Sequence, residues 1–161
     1  MAAAHPTGQA TSRSPETARV GAVLLTGEAL LDRAKLVLTV PLQARVGVRL
    51  LDEADPPAGV WFTVEGLADN GSGGVHAAAL QTAMEVAAYL ALLPQLATDE
   101  HAITHALSTQ LIAAAPTGER VELRGTLDRR GKRLAFLSVV AECAGRTVAR
   151  GQLTKSVVPF G

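Results

Sequence analysis

Glu85 stands where a carboxylate is costly. Residues 75–93 read VHAAALQTAMEVAAYLALL, a run of Ala and Leu without Pro or Gly, whose other polar members are His76, Gln81 and Thr82. A helix apolar on nearly every side is a buried helix, and an ionised carboxylate in apolar surroundings needs something to stabilise it. Just upstream, Asn70-Gly71-Ser72-Gly73-Gly74 forms a loop whose glycines let backbone approach a ligand closely. The helix that follows offers free N–H groups and the positive end of its dipole near His76 and Ala77. Such N–H groups suit a polarised carbonyl or an oxyanion, and Glu85 suits a nucleophile or a general base acting on water. Ala77 and Glu85 are eight residues apart. Along one helix that is about 12 Å, at about 1.5 Å per residue. One reacting carbon cannot lie about 3 Å from both. If the two groups serve one reaction, they come from two copies of the chain.

The elements that must hold these groups follow from pattern. Residues 28–38 have helical spacing, and Pro41 is expected to end that piece. Residues 44–51 read as a strand, Asp52 to Gly59 as a turn, and 60–66 (VWFTVEG) as a second strand pairing back. After the long helix, closed by Pro94, residues 103–113, 120–129, 133–143 and 147–158 alternate or carry β-branched runs. Turn signals at Pro116-Thr117-Gly118, Arg130-Gly131-Lys132 and Ala144-Gly145-Arg146 imply an antiparallel meander. Two strands, one buried helix and four strands make an α+β arrangement. Residues 1–27 are expected to be a flexible N-terminal tail and 28–161 a single domain. The tail has no apolar core long enough for a signal peptide.

The order of elements resembles the hotdog fold, an antiparallel sheet wrapped around one long central helix. The residues resemble the PaaI-like acyl-CoA thioesterases, which carry an Asn, a His-Gly(-Gly) opening the central helix, and an Asp or Glu two turns further on. Asn70, His76-Ala77-Ala78 and Glu85 fall in that register. Ile103-Thr104, GKRLAF (131–136) and ARGQLTK (149–155) are similar to later parts of the family, so the likeness spans residues 40–158. It implies hydrolysis of an acyl-CoA thioester to free acid and coenzyme A. The Ala77 N–H would polarise the carbonyl, and Glu85 of a neighbouring subunit would attack it or activate water. Asn70 would orient water or substrate, Thr104 would bond to the water or to Glu85, and His76 would shape the loop. Gly74 and Gln81 would lie against the substrate. Such enzymes act as homodimers or dimers of dimers, with no cofactor. Where relatives carry Gly-Gly, this chain has Ala77-Ala78; alanine keeps the N–H but adds two methyl groups. That replacement favours the alternative, a non-catalytic hotdog protein that binds acyl-CoA or acyl chains. A hydratase of the same fold would pair acid and His at a shorter spacing than Asp69 and His76 show.

Bulk properties narrow the field further. Lys plus Arg equals Asp plus Glu at 15 each, and aromatics are few, so nothing favours nucleic acid or an anionic membrane. The polar residues of 75–93 argue against a membrane span. The single Cys143 excludes an internal disulfide and fits the cytoplasm. His101 and His105 lack an accompanying acidic or Cys ligand, so no metal site is expected. Arg129, Arg130, Lys132 and Arg133 form a basic hairpin tip, either a solvated turn or a contact for the phosphates of coenzyme A.

Overall fold

The computed structural model describes residues 22–160, in which six antiparallel strands share one sheet that packs around a single long helix. In chain order the elements are α1 (Gly27–Leu38), α2 (Pro41–Val46), β1 (Arg49–Leu50), β2 (Val60–Thr63), α3 (Ala77–Leu92), β3 (Glu100–Leu111), β4 (Arg120–Arg130), β5 (Leu134–Cys143) and β6 (Arg146–Pro159). The sheet runs β1-β2-β4-β5-β6-β3. Most of residues 1–27 lie outside the described part. The last of them are seated, for Leu25 is buried and its N–H donates to the Leu96 carbonyl (2.9 Å).

The first half departs from the pattern-based expectation. Residues 44–51 are not one strand: the stretch begins as the end of α2 and only its last part pairs as β1. Pro41 does not terminate α1, which ends at Leu38; it opens α2, because its missing N–H is no loss at a first helical position. Gly47, at φ 79°, stops α2 and leaves only Arg49–Leu50 to pair with β2. β2 is also shorter than expected, giving way at Gly66–Ala68 to a 3-10 turn.

The last three strands form the expected meander. Ala144 and Gly145 both take positive φ, the geometry of the tight hairpin turn between β5 and β6. β3 does not join that meander through β4. It lies at the far edge against β6, while β2 occupies the outer side of β4. Pro116-Thr117-Gly118 therefore belongs to a crossing connection, residues 112–119, rather than a hairpin. Its backbone braces other parts of the chain. The Gly118 N–H donates to Val64 (3.0 Å), the Thr117 N–H to Gly73 (3.2 Å), and the Val75 N–H to Ala115 (2.9 Å).

α3 buries Leu80, Ala83, Met84, Ala87 and Leu90 against the inward rows of the sheet, including Leu123, Leu137, Val139 and Leu153. Burial is not uniform around the helix. Ala78, Gln81, Thr82 and Glu85, at spacing i, i+3, i+4, i+7, remain exposed or half-buried. The expectation of a helix buried all round thus fails along this one stripe, and Glu85 lies on it.

The helix approaches the sheet most closely where a glycine permits it. A Cβ on Gly125 would lie 2.5 Å from the Ala87 carbonyl oxygen, whereas one on Gly151 would meet the Met84 sulfur at 2.8 Å. Backbone cannot yield as a flexible thioether can. Gly125→Ala should therefore cost about 2–3 kcal/mol in denaturant unfolding, and Gly151→Ala clearly less. Equal costs would mean that α3 is not held at the depth described.

Candidate active site

The start of α3 is organised by its loop. The Asn70 side-chain oxygen accepts from the Ser72 N–H (2.7 Å) and the Gly74 N–H (3.3 Å), and the Asn70 N–H donates to the Gly74 carbonyl (2.8 Å). Asp69 accepts from the Gly71 N–H (2.5 Å) and the Thr117 hydroxyl, and these bonds hold its carboxyl below the ordinary range. His76 precedes the first helical residue, and its Nδ1 accepts from the Ala78 N–H (3.1 Å). Its carbonyl takes the N–H groups of Ala79 (3.0 Å) and Leu80 (3.2 Å). The Ala77 N–H is left without an acceptor among the described residues. In one chain, then, the helix tip presents one free donor framed by an ordered loop.

Glu85 is elsewhere. It lines a cavity of about 450 Å³ between α1, α2, α3, β3 and the end of β6, walled by apolar side chains such as Val37, Val40 and Val86. Thr104 and Lys155 line the same cavity, and the Lys155 ammonium donates to the Thr104 hydroxyl oxygen (2.9 Å). Lys155 is only 3% exposed. Burial pushes its ammonium down to about 8, against the opposing pull of the Glu85 charge. At the cavity wall the Tyr89 hydroxyl bonds to His101 Nδ1 (3.0 Å). Burial raises the phenol and lowers the imidazole, which the nearby Arg33 and Lys155 charges lower further.

Of the residues singled out from sequence, the structure brings Glu85 and Thr104 to one cavity, and Asn70, Gly74, His76 and Ala77 to the helix tip. Those two groups stay apart within the chain. Gln81 lies exposed between them on the open stripe. Of the basic tip, Arg129, Lys132 and Arg133 are exposed, while Arg130 turns back to pair with Glu100 (3.4 Å). His101 bonds to Tyr89, and His105, the residue at the irregularity between Thr104 and Ala106, bonds to Ser156 (2.9 Å). Lys155 escaped notice in the sequence. The signal is its phase: Ala149, Gly151 and Leu153 are the inward residues of β6, so residue 155 falls on the core side.

The profile of the fluoroacetyl-CoA-specific thioesterases matches residues 65–160, which hold the glycine loop, α3 and the last four strands. The chain belongs to that family. It is a PaaI-like, hotdog-fold acyl-CoA thioesterase, as the residue pattern implied. Curated proteins give no significant match to it. Among solved structures it is similar to thioesterase HI1161 from Haemophilus influenzae (13% identity, 80% of this chain, 90% of the other, TM-score 0.69). It is similar also to AziG from S. sahachiroi (22% identity, 74% and 98%, TM-score 0.65). A third is the BH2602 protein from Bacillus halodurans, solved with coenzyme A (17% identity, 80% and 88%, TM-score 0.63). These distant likenesses bear on the fold.

The buried lysine of this thioesterase gives a stability prediction with a definite sign. Its ammonium is disfavoured in the folded state, so the cost is full below pH 8 and fades as pH rises from about 8 towards 10.5. Lys155→Met should raise stability by roughly 2 kcal/mol at pH 7. The gap to the parent should shrink across that alkaline range, as followed by thermal melting. A variant less stable than the parent at every pH would contradict the assignment.

Proposed function

We propose that hydrolysis takes place in a site built by two copies of the chain, with the Ala77 N–H of one facing Glu85 of the other. The observation that carries this reading is the separation of the two groups along α3. Both are poised for chemistry, one as an N–H without an acceptor and the other as a carboxylate lining a cavity, yet one helix keeps them about 12 Å apart. Two further features support it. The stripe Ala78-Gln81-Thr82-Glu85 joins the two groups and is uncovered in one chain. Leu36, Val40 and Ile103, beside the cavity mouth, are exposed apolar residues that a second copy would cover.

In this reading the thioester carbonyl oxygen rests on the Ala77 N–H and the helix dipole. Glu85 takes a proton from a water held by the Thr104 hydroxyl, and the water oxygen attacks the carbonyl carbon. The resulting oxyanion collapses, the carbon–sulfur bond breaks, and the coenzyme A thiolate leaves with the proton that Glu85 took from the water, which restores the carboxylate. Asn70 and His76 serve by shaping the loop that presents the Ala77 N–H. Gly74 and Gln81 border the substrate's path. Lys132 and Arg133, exposed beside an open cavity of about 760 Å³, are placed for the phosphates of coenzyme A; Arg129 is a neighbouring candidate, and Arg130 is committed to Glu100. The sheet's outer face carries an ion-paired ladder, Arg120–Glu122 (3.1 Å), Arg124–Glu122 (2.8 Å) and Arg124–Glu142 (3.6 Å). Such a face is content in water, so a homodimer is favoured over a tetramer joined through it. The lone, buried Cys143 accords with a cytoplasmic enzyme.

Two substitutions separate the halves of the site. Glu85→Gln keeps volume and removes the charge. Ala77→Pro removes only the N–H, since proline suits a first helical position and His76 already has the extended backbone that must precede it. Each alone should lose about a hundredfold in kcat on its acyl-CoA substrate. When the two are unfolded, mixed and refolded together, roughly one quarter of parental activity should return, because half of randomly paired dimers hold one intact site. No recovery, with mixed dimers verified by mass, would place both groups in separate roles.

A further inference from the structure

Lys155 is the group in this site that the proposed reaction does not yet use. It is buried to 3% exposure, and within the chain its ammonium makes one hydrogen bond, to Thr104. The Tyr89 ring lies 5.9 Å away, near the limit of a cation–π contact. It forms no direct ion pair with Glu85, although both line one cavity. A buried cation so sparsely partnered costs stability that an apolar side chain would not. Packing alone does not explain a lysine at this inward position of β6.

The hydrogen bond has a direction. The ammonium has no lone pair, so Thr104 must accept from it. The hydroxyl proton of Thr104 is then turned away from Lys155 and free to be donated into the cavity. The charged and titratable groups facing Lys155 are few. From α1 comes Arg33, held by the Glu100 carbonyl (3.0 Å) and laid over the Phe160 ring (3.6 Å). From α3 come Glu85 and Tyr89, and from β3 Thr104 and His101, the last already bonded to Tyr89. α2 contributes the uncharged Gln43, and β5, paired alongside through Ala135, contributes no charge there. Glu85 is thus the only carboxylate lining this cavity among the described residues, and the Lys155 ammonium, with one hydrogen bond, keeps donors to spare.

We propose that Lys155 is a positioning residue for thioester hydrolysis: it fixes the Thr104 hydroxyl as a donor to the attacking water, and its charge holds the Glu85 side chain turned towards that water. The inference rests on the reading that Glu85 activates water. Lys155 acts through Thr104 and Glu85 and exchanges no proton with the substrate. With the Thr104 hydroxyl donated to it, the water is left to give its own proton to Glu85.

Steady-state kinetics from pH 6 to 10 on purified enzyme test this, with Lys155→Met, Lys155→Arg and Lys155→Gln beside the parent and Glu85→Gln. The parent should lose kcat on the alkaline side with a midpoint near 8. Lys155→Met and Lys155→Gln should lower kcat roughly tenfold to a hundredfold with KM little changed, and should lack that alkaline loss. Lys155→Arg keeps the charge and a donor at all these pH values; it should recover much of the rate and move the alkaline loss upwards. Melting curves at or above the parental temperature establish that the Met and Gln variants are folded. Parental kcat and an unchanged alkaline limb in Lys155→Met would overturn the proposal, as would a rise in KM alone. A Glu85→Gln variant with parental turnover would instead overturn the reading beneath it, so the two failures are told apart.

Discussion

The rise of a single helix governs this enzyme. Between the N–H at the tip of α3 and the carboxylate two turns along it stand rigid hydrogen-bonded turns that no side-chain rotation can shorten. A thioester carbonyl needs a donor on its oxygen and an attacking group at its carbon, both within reach of one another. One copy of the chain supplies both and can use neither together. The proposed pairing of two copies turns that limitation into two equivalent sites.

Much of the remaining fold can be read as support for the two ends of that helix. The sheet fixes its depth, and Gly125 lets the Ala87 backbone come against β4. At the tip, the crossing connection between β3 and β4 spends its backbone hydrogen bonds on the glycine loop rather than on a hairpin. At the carboxylate, β3 and β6 pair so that Thr104 stands opposite Lys155 in register. β3 at the sheet edge and β6 beside it thus bring Thr104 and Lys155 to the cavity that Glu85 lines.

The fold was legible in sequence where patterns were long. The apolar run of α3 and the alternating strands β4 to β6 follow from period alone, and the family register of Asn70, His76 and Glu85 pointed to thioester hydrolysis. The misreadings have local causes. Residues 44–51 are β-branched and arginine-rich enough to suit a strand, but Pro41 and Gly47 bracket a turn of helix that propensity did not disclose. The pairing of β3 with β6 depends on a long-range choice between sheet edges, about which a turn signal at Pro116 says nothing. Glu85 reads as fully buried because an alanine-rich helix hides the difference between a face packed on a sheet and one left open. Lys155 went unremarked because a lysine in a strand is ordinarily outward, and only its phase relative to Leu153 shows otherwise.

The account stands or falls on where a bound thioester lies. A crystal structure with a non-hydrolysable acyl-CoA analogue would show it directly. The account requires the analogue's carbonyl oxygen to be about 3 Å from the Ala77 N–H of one copy, with Glu85 of the other copy facing the carbonyl carbon directly or through one water. A carbonyl bound entirely within one chain, or seated with no Glu85 within reach, would contradict it.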